Sequence, residues 1–102
     1  MPFCKVVAIL NVTDYKMLHE PIQRLNVPGV TISPGKGFGD YVNNFDPFGF
    51  SDNTKVEVYT TAEQAEAVAT ALASLAKQLT EGGGVVAIEP VQDLRNVQKL
   101  EL

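Results

Sequence analysis

The chain has 102 residues, 45% of them hydrophobic, which bounds it to one domain with material for a single core. Its formal net charge of -4 and pI of about 4.8 supply no basic stripe to follow a phosphate backbone, so no nucleic-acid partner is expected. Small anions stay open, because backbone N–H groups can hold them locally. Cys4 is the only cysteine, so no internal disulfide can form and a reducing, cytoplasmic compartment is expected. The first residues lack the pattern of a secretion signal, and no apolar run approaches the roughly 18 residues that span a bilayer.

Residues 3–10 (Phe-Cys-Lys-Val-Val-Ala-Ile-Leu) are β-rich and almost wholly apolar, which predicts a strand in the middle of a sheet. Thr13 is a candidate helix N-cap, and Leu18, Ile22 and Leu25 share one face of the helix that follows. Pro21 lies inside that span, so a kink is expected there, or a restart with Pro21 in a first turn. Pro28-Gly29 marks a turn, and Val30 to Ser33 alternates as a second strand. Lys36-Gly37-Phe38-Gly39 is expected to form a hinge, residues 40–53 a loop, and Thr54 to Thr60 a third strand. A loop of that length without structure of its own points to function. Thr61-Ala62-Glu63-Gln64 has the form of a capping box. The alanine-rich helix that it opens carries Ala65, Val68, Leu72, Leu75 and Leu79 as an apolar stripe. Gly82-Gly83-Gly84 stops that helix, Val85 to Ile88 is a fourth strand ended by Glu89-Pro90, and the tail is left unassigned.

Strand, helix, strand, strand, helix, strand is the ferredoxin-like βαββαβ order, an α+β fold with two helices on one face of a four-stranded antiparallel sheet. The first strand is apolar on both faces, so the face away from the helices is expected to be buried in a homo-oligomer. The glycines of 37–39 and 82–84 suit either a phosphate cradle or ordinary turns and a helix C-cap. Phe45, Phe48 and Phe50, with Tyr41, are too apolar for a purely solvated loop; they either fold back on the body or dock on a partner. His19 and Cys4 read as packed or surface residues, the carboxylates Glu57, Glu63, Glu66 and Glu89 as solvated ones, and no acid–base pair or histidine–cysteine ligand cluster stands out. No enzyme activity and no catalytic or metal site is therefore expected.

Val30-Thr31-Ile32, Lys36-Gly37-Phe38-Gly39, Lys55-Val56-Glu57-Val58, the triplet before Val85 to Ile88, and Glu89-Pro90-Val91-Gln92-Asp93 together resemble the PII signal-transduction proteins. The resemblance covers nearly the whole chain, 1–102, as one PII-like domain with loop 40–53 as its T-loop. It implies a homotrimer with adenine nucleotides in the clefts between subunits. Carried over, the ligand-binding residues are Gly37, Phe38 and Gly39 at the T-loop base and Gly82, Gly83 and Gly84 in the B-loop. Val58 and Tyr59 would border the adenine, and Arg95 is the cation near the C-terminal segment.

The departures shape the expected function. The family's Arg-Gln pair after Lys-Gly-Phe-Gly is Asp40 and Tyr41 here, its B-loop lysine is Val85, and its two C-terminal arginines fall on Asn96 and Gln98. Each lost cation removes a charge-assisted bond to phosphate worth about 1.5–3 kcal/mol, so AMP or ADP is expected over ATP. The loop also lacks the family's tyrosine-centred modification site. The chain thus looks like the PII-like branch linked to bicarbonate transporters and carboxysomes. That resemblance implies adenylate and bicarbonate as ligands. It also implies a protein partner, a transporter or carboxysome-linked enzyme, met through Tyr41, Phe45, Phe48 and Phe50. A CutA-like metal-binding trimer and a nitrogen-regulatory PII variant are the alternatives.

Overall fold

The computed structural model describes residues 2–12, 14–39, 49–79 and 83–99. Strand β1 spans Phe3–Leu10 and is followed by a 3-10 turn (Tyr15–Leu18) and the short helix α1 (His19–Gln23). Strands β2 (Val30–Gly37) and β3 (Ser51–Thr61), helix α2 (Ala62–Leu79), strand β4 (Gly84–Val91) and a 3-10 turn (Val97–Lys99) complete the chain. The four strands form one antiparallel sheet in the order β2-β3-β1-β4. This is the ferredoxin-like arrangement expected from the order of elements.

The local chemistry explains each helix. Asp14 accepts from the Lys16 amide at 3.1 Å and starts the 3-10 turn, while Thr13 lies outside the described residues. Pro21 is the third residue of α1, where its missing N–H has no intrahelical partner to lose. The restart, rather than a kink, is what forms. At α2 the Gln64 amide donates to Thr61 Oγ1 at 3.3 Å, which supplies the capping expected from the sequence.

Val6, Ala8 and Leu10 of β1, Val56 and Val58 of β3, Leu18 and Ile22 of the first helical segment, and Ala65, Val68 and Leu72 of α2 form one buried cluster. Both helical segments therefore cover the same sheet face. The other face carries Lys5, Val7 and Ile9 of β1 beside Glu57, Lys55, Ala87 and Val85.

Three strands, β2, β3 and β4, are longer than the sequence suggests. β2 runs through Pro34 and Gly35 to Gly37, and β4 runs through Pro90 to Val91. Both are edge strands, where a proline nitrogen can face outward and cost no ladder bond. A proline on each edge also blunts pairing with foreign strands. Lys36 and Gly37 thus belong to β2, not to a hinge, and Ser51 to Asn53 belong to β3, not to the loop.

Thr54 ties the end of β1 to β3. Its side chain is 1% exposed, and its hydroxyl donates to the Val12 carbonyl at 2.5 Å. Replacing it as Thr54→Val keeps the shape and leaves that carbonyl without its donor, which should cost about 1–3 kcal/mol. Urea denaturation of the variant will show the loss as a lower midpoint; an unchanged midpoint would mean that the bond contributes nothing to the fold.

Candidate functional site

The register fixes where the candidate residues lie. Leu10 pairs with both Thr54 and Gly84, and Thr54 pairs with Pro34. Gly84 and the end of β2 therefore sit at the same end of the sheet, with β3 and β1 between them. Three strand spacings separate Gly84 from Pro34, about 14 Å, and Gly37 lies about 10 Å further along. A molecule that touches both glycine segments must span that distance.

Each glycine segment contributes one residue with the backbone that glycine tolerates best. Gly39 has φ 129° and Gly84 has φ 142°. A Cβ on Gly84 would lie 2.7 Å from the Ile9 carbonyl oxygen, backbone that cannot move aside. Gly82 lies outside the described residues.

The other two glycines make room for asparagines. A Cβ on Gly35 would lie 2.6 Å from Asn53 Oδ1, and Asn53 is 8% exposed. The side chain of Asn11, one residue past β1, lies where a Cβ on Gly83 would be. By strand alternation Asn11 and Asn53 share the open face with Ile9 and Lys55. Neither asparagine stands out in the sequence, because only the register shows which glycine each one covers.

The remaining candidates are not at this end. Tyr59 pairs with Lys5, five residues from Thr54, which places it about 17 Å away along β3. It is exposed, and helps line a groove of about 410 Å³ with Phe3, Pro28, Thr31, Glu57 and Leu94. Val58 is a correction: its side chain is 0% exposed and packs into the core under the helices, so it cannot border a ligand. Arg95 is exposed, with its Nε 2.6 Å from Asp93 Oδ2, so a neighbouring carboxylate already engages this cation.

At the loop base, Lys36 Nζ lies 3.4 Å from Asp52 Oδ1. Two residues further on, the Phe38 and Phe50 rings meet edge to face at 4.9 Å and 65°, while 54% and 71% exposed. Phe50 thus packs on its opposite number across the arm, not on the body of the domain. Tyr41, Phe45 and Phe48 lie outside the described residues. Among the described residues no group of three or more His, Cys, Asp and Glu converges as metal ligands would. No described helix is long and apolar enough to cross a membrane.

The far half of the open face is charged. Lys5 Nζ lies 3.5 Å from both Glu57 and Glu89, and Lys55 Nζ lies 3.6 Å from Glu57. Desolvation pulls the Lys5 pKa down, but Glu89 and Glu57, with a smaller contribution from Tyr59, outweigh it and raise the pKa above the ordinary 10.5.

Two predictions follow from this geometry. Gly84→Ala should lower stability by more than about 1 kcal/mol, whereas Gly29→Ala, whose Cβ would meet nothing within 4 Å, should be neutral or slightly stabilising in the same denaturation experiment. The raised Lys5 pKa contributes stability that is complete below the unfolded value and is lost as pH rises through the folded value, above 10.5. Denaturation midpoints between pH 9 and pH 12 should therefore fall more steeply for the native chain than for Lys5→Met; parallel curves would remove the effect.

The model of the family described as nitrogen regulatory protein P-II matches residues 3–101. Among solved structures, PII from Arabidopsis thaliana bound to citrate superposes with a TM-score of 0.75 at 26% identity, covering 98% of this chain and 87% of that one. A DUF3240 family protein from Shewanella baltica OS155 has the same fold, with a TM-score of 0.72 at 20% identity over 94% of this chain and 97% of its own. No protein in the curated set matches the sequence. With its family match spanning the whole sheet, both helices and the tail, the chain belongs to the nitrogen regulatory protein P-II family.

Proposed function

We propose that the chain is a trimeric, non-enzymatic regulatory sensor that binds AMP or ADP in the clefts between subunits. Bicarbonate is its second ligand, and loop 40–53 carries the signal to a protein partner in inorganic-carbon metabolism. The observation that carries the adenylate reading is the division of the candidate residues between two ends of one sheet. Gly37, Phe38, Gly39, Gly83 and Gly84 lie at one end; Tyr59 and the groove of about 410 Å³ lie at the other. One copy cannot bring the two ends together, but a head-to-tail contact between copies can, and such a contact forms a ring when its rotation closes. The apolar residues Val7, Ile9, Ala87 and Val85 on the open face suit burial in that ring.

The shortage of cations supports the lower phosphate count. Lys36 and Lys55 are paired with Asp52 and Glu57, and Arg95 with Asp93. A third phosphate adds charge that no unpaired described side chain at these positions meets. The Arabidopsis relative holds citrate, which fits a small-molecule sensor. The exposed Phe38–Phe50 pair gives the loop an apolar base for contact with a protein. The bicarbonate and carbon-metabolism assignments rest on the family resemblance and on the acids that replace the loop's cations.

Titration calorimetry with AMP, ADP and ATP, each with and without bicarbonate, tests this reading, with sedimentation to give the mass. AMP or ADP should bind at least about tenfold more tightly than ATP, since each missing charge-assisted bond is worth 1.5–3 kcal/mol, and the mass should be that of a trimer. Absence of heat with all three nucleotides would refute it.

A further inference from the structure

Four charged side chains form one connected path on the open face of the sheet. Lys55 Nζ lies 3.6 Å from Glu57, and Lys5 Nζ lies 3.5 Å from both Glu57 and Glu89. The signs alternate along that path: cation, anion, cation, anion. Its two middle groups, Glu57 and Lys5, have an opposite charge on either side, and their side chains are 23% and 24% exposed. The two end groups have one partner each among the described residues, and they are the more open, Lys55 at 44% and Glu89 at 55%.

The register places the two ends. Lys55 pairs with Ile9, next to the row of Thr54, Leu10 and Gly84, so it lies toward the glycine end of the sheet. Glu89 pairs with Lys5, which also pairs with Tyr59, so it lies toward the end that carries the groove. Two strand spacings and four residues separate them, about 16 Å, too far for an ion pair within one copy. The path borders the apolar side chains Val7, Ile9, Val85 and Ala87, and an apolar centre with charge at its margin is the make-up of a protein interface.

We infer that the two ends of the path meet between copies, Lys55 of one against Glu89 of the next. The partner on this face is a second copy of the chain, and three copies close the alternation into a ring in which every charge has an opposite neighbour on both sides. Joining Lys55 to Glu89 sets the glycine end of one copy against the groove end of the next, which is the sense of contact that the divided site requires. A copy shifted by one position along the path would set like charges against each other, so the path also fixes the register of the contact. This deepens the trimer reading and rests on it.

The test is sedimentation equilibrium of the full chain and of its Lys55→Glu, Glu89→Lys and doubly reversed variants, with thermal melts to verify folding. Each single reversal should raise the concentration at which half the trimer dissociates by about tenfold or more, and the double reversal should return it toward the native value. The like-charge contacts that the reversals create with Glu57 and Lys5 inside one copy are present in monomer and trimer alike, so they cancel from this comparison. If a reversed variant does not fold, Lys55→Gln and Glu89→Gln take its place. Neutralising both should then cost no more than neutralising either alone, because groups this far apart in one copy couple only through another. Single reversals that leave dissociation unchanged, a double reversal no better than the singles, or neutralisations whose costs add would overturn the inference and leave the trimer reading standing. A native chain whose mass is not that of a trimer would overturn both.

Discussion

Strand β1 is paired along all eight of its residues with β3 on one side and β4 on the other, and the rest of the domain depends on that double register. Its even-numbered side chains, Val6, Ala8 and Leu10, are the centre of the core, so a slip of one residue would turn Lys5, Val7 and Ile9 under the helices. The same register aligns Gly84, Leu10, Thr54 and Pro34 in one row across the sheet. A short loop or a glycine at either end has its meaning only relative to that row. The bond from Thr54 to the Val12 carbonyl holds the row where β1 stops and its two partners diverge.

Beyond the row, β2 and β3 continue as a two-stranded arm with no third strand beside it. Such a ribbon is marginal without support. Its rungs are an exposed Lys36–Asp52 ion pair, which contributes little in water, and the Phe38–Phe50 contact, worth about 0.5–1.5 kcal/mol. The base of the loop is thus held by a few weak interactions, while the sheet behind it is held by a core.

The order of elements and the capped helix α2 were legible because they rest on local patterns: the Thr61–Gln64 cap, the three-four stripe through Val68 and Leu72, and the unbroken apolar run of β1. The strand ends were not, because Pro34 and Pro90 read as stops and become harmless only once β2 and β4 are known to be edges. Val58 was misplaced for a related reason. It stands next to Tyr59 in sequence, but a strand sends neighbours to opposite faces, and only the pairing with Val6 and Val30 shows that Val58 is the one turned inward. The pairing of Arg95 with Asp93 depends on a local turn that sequence does not specify.

The glycine segments show most clearly how a motif can be right in position and different in chemistry. A glycine next to phosphate is small so that the backbone can approach the ligand. Gly35 and Gly83 are small so that a carboxamide can lie against them, and a carboxamide brings both an acceptor and donors but no charge. Asn53 and Ser51 thus stand opposite Gly35 and Gly37, and Asn11 stands over Gly83.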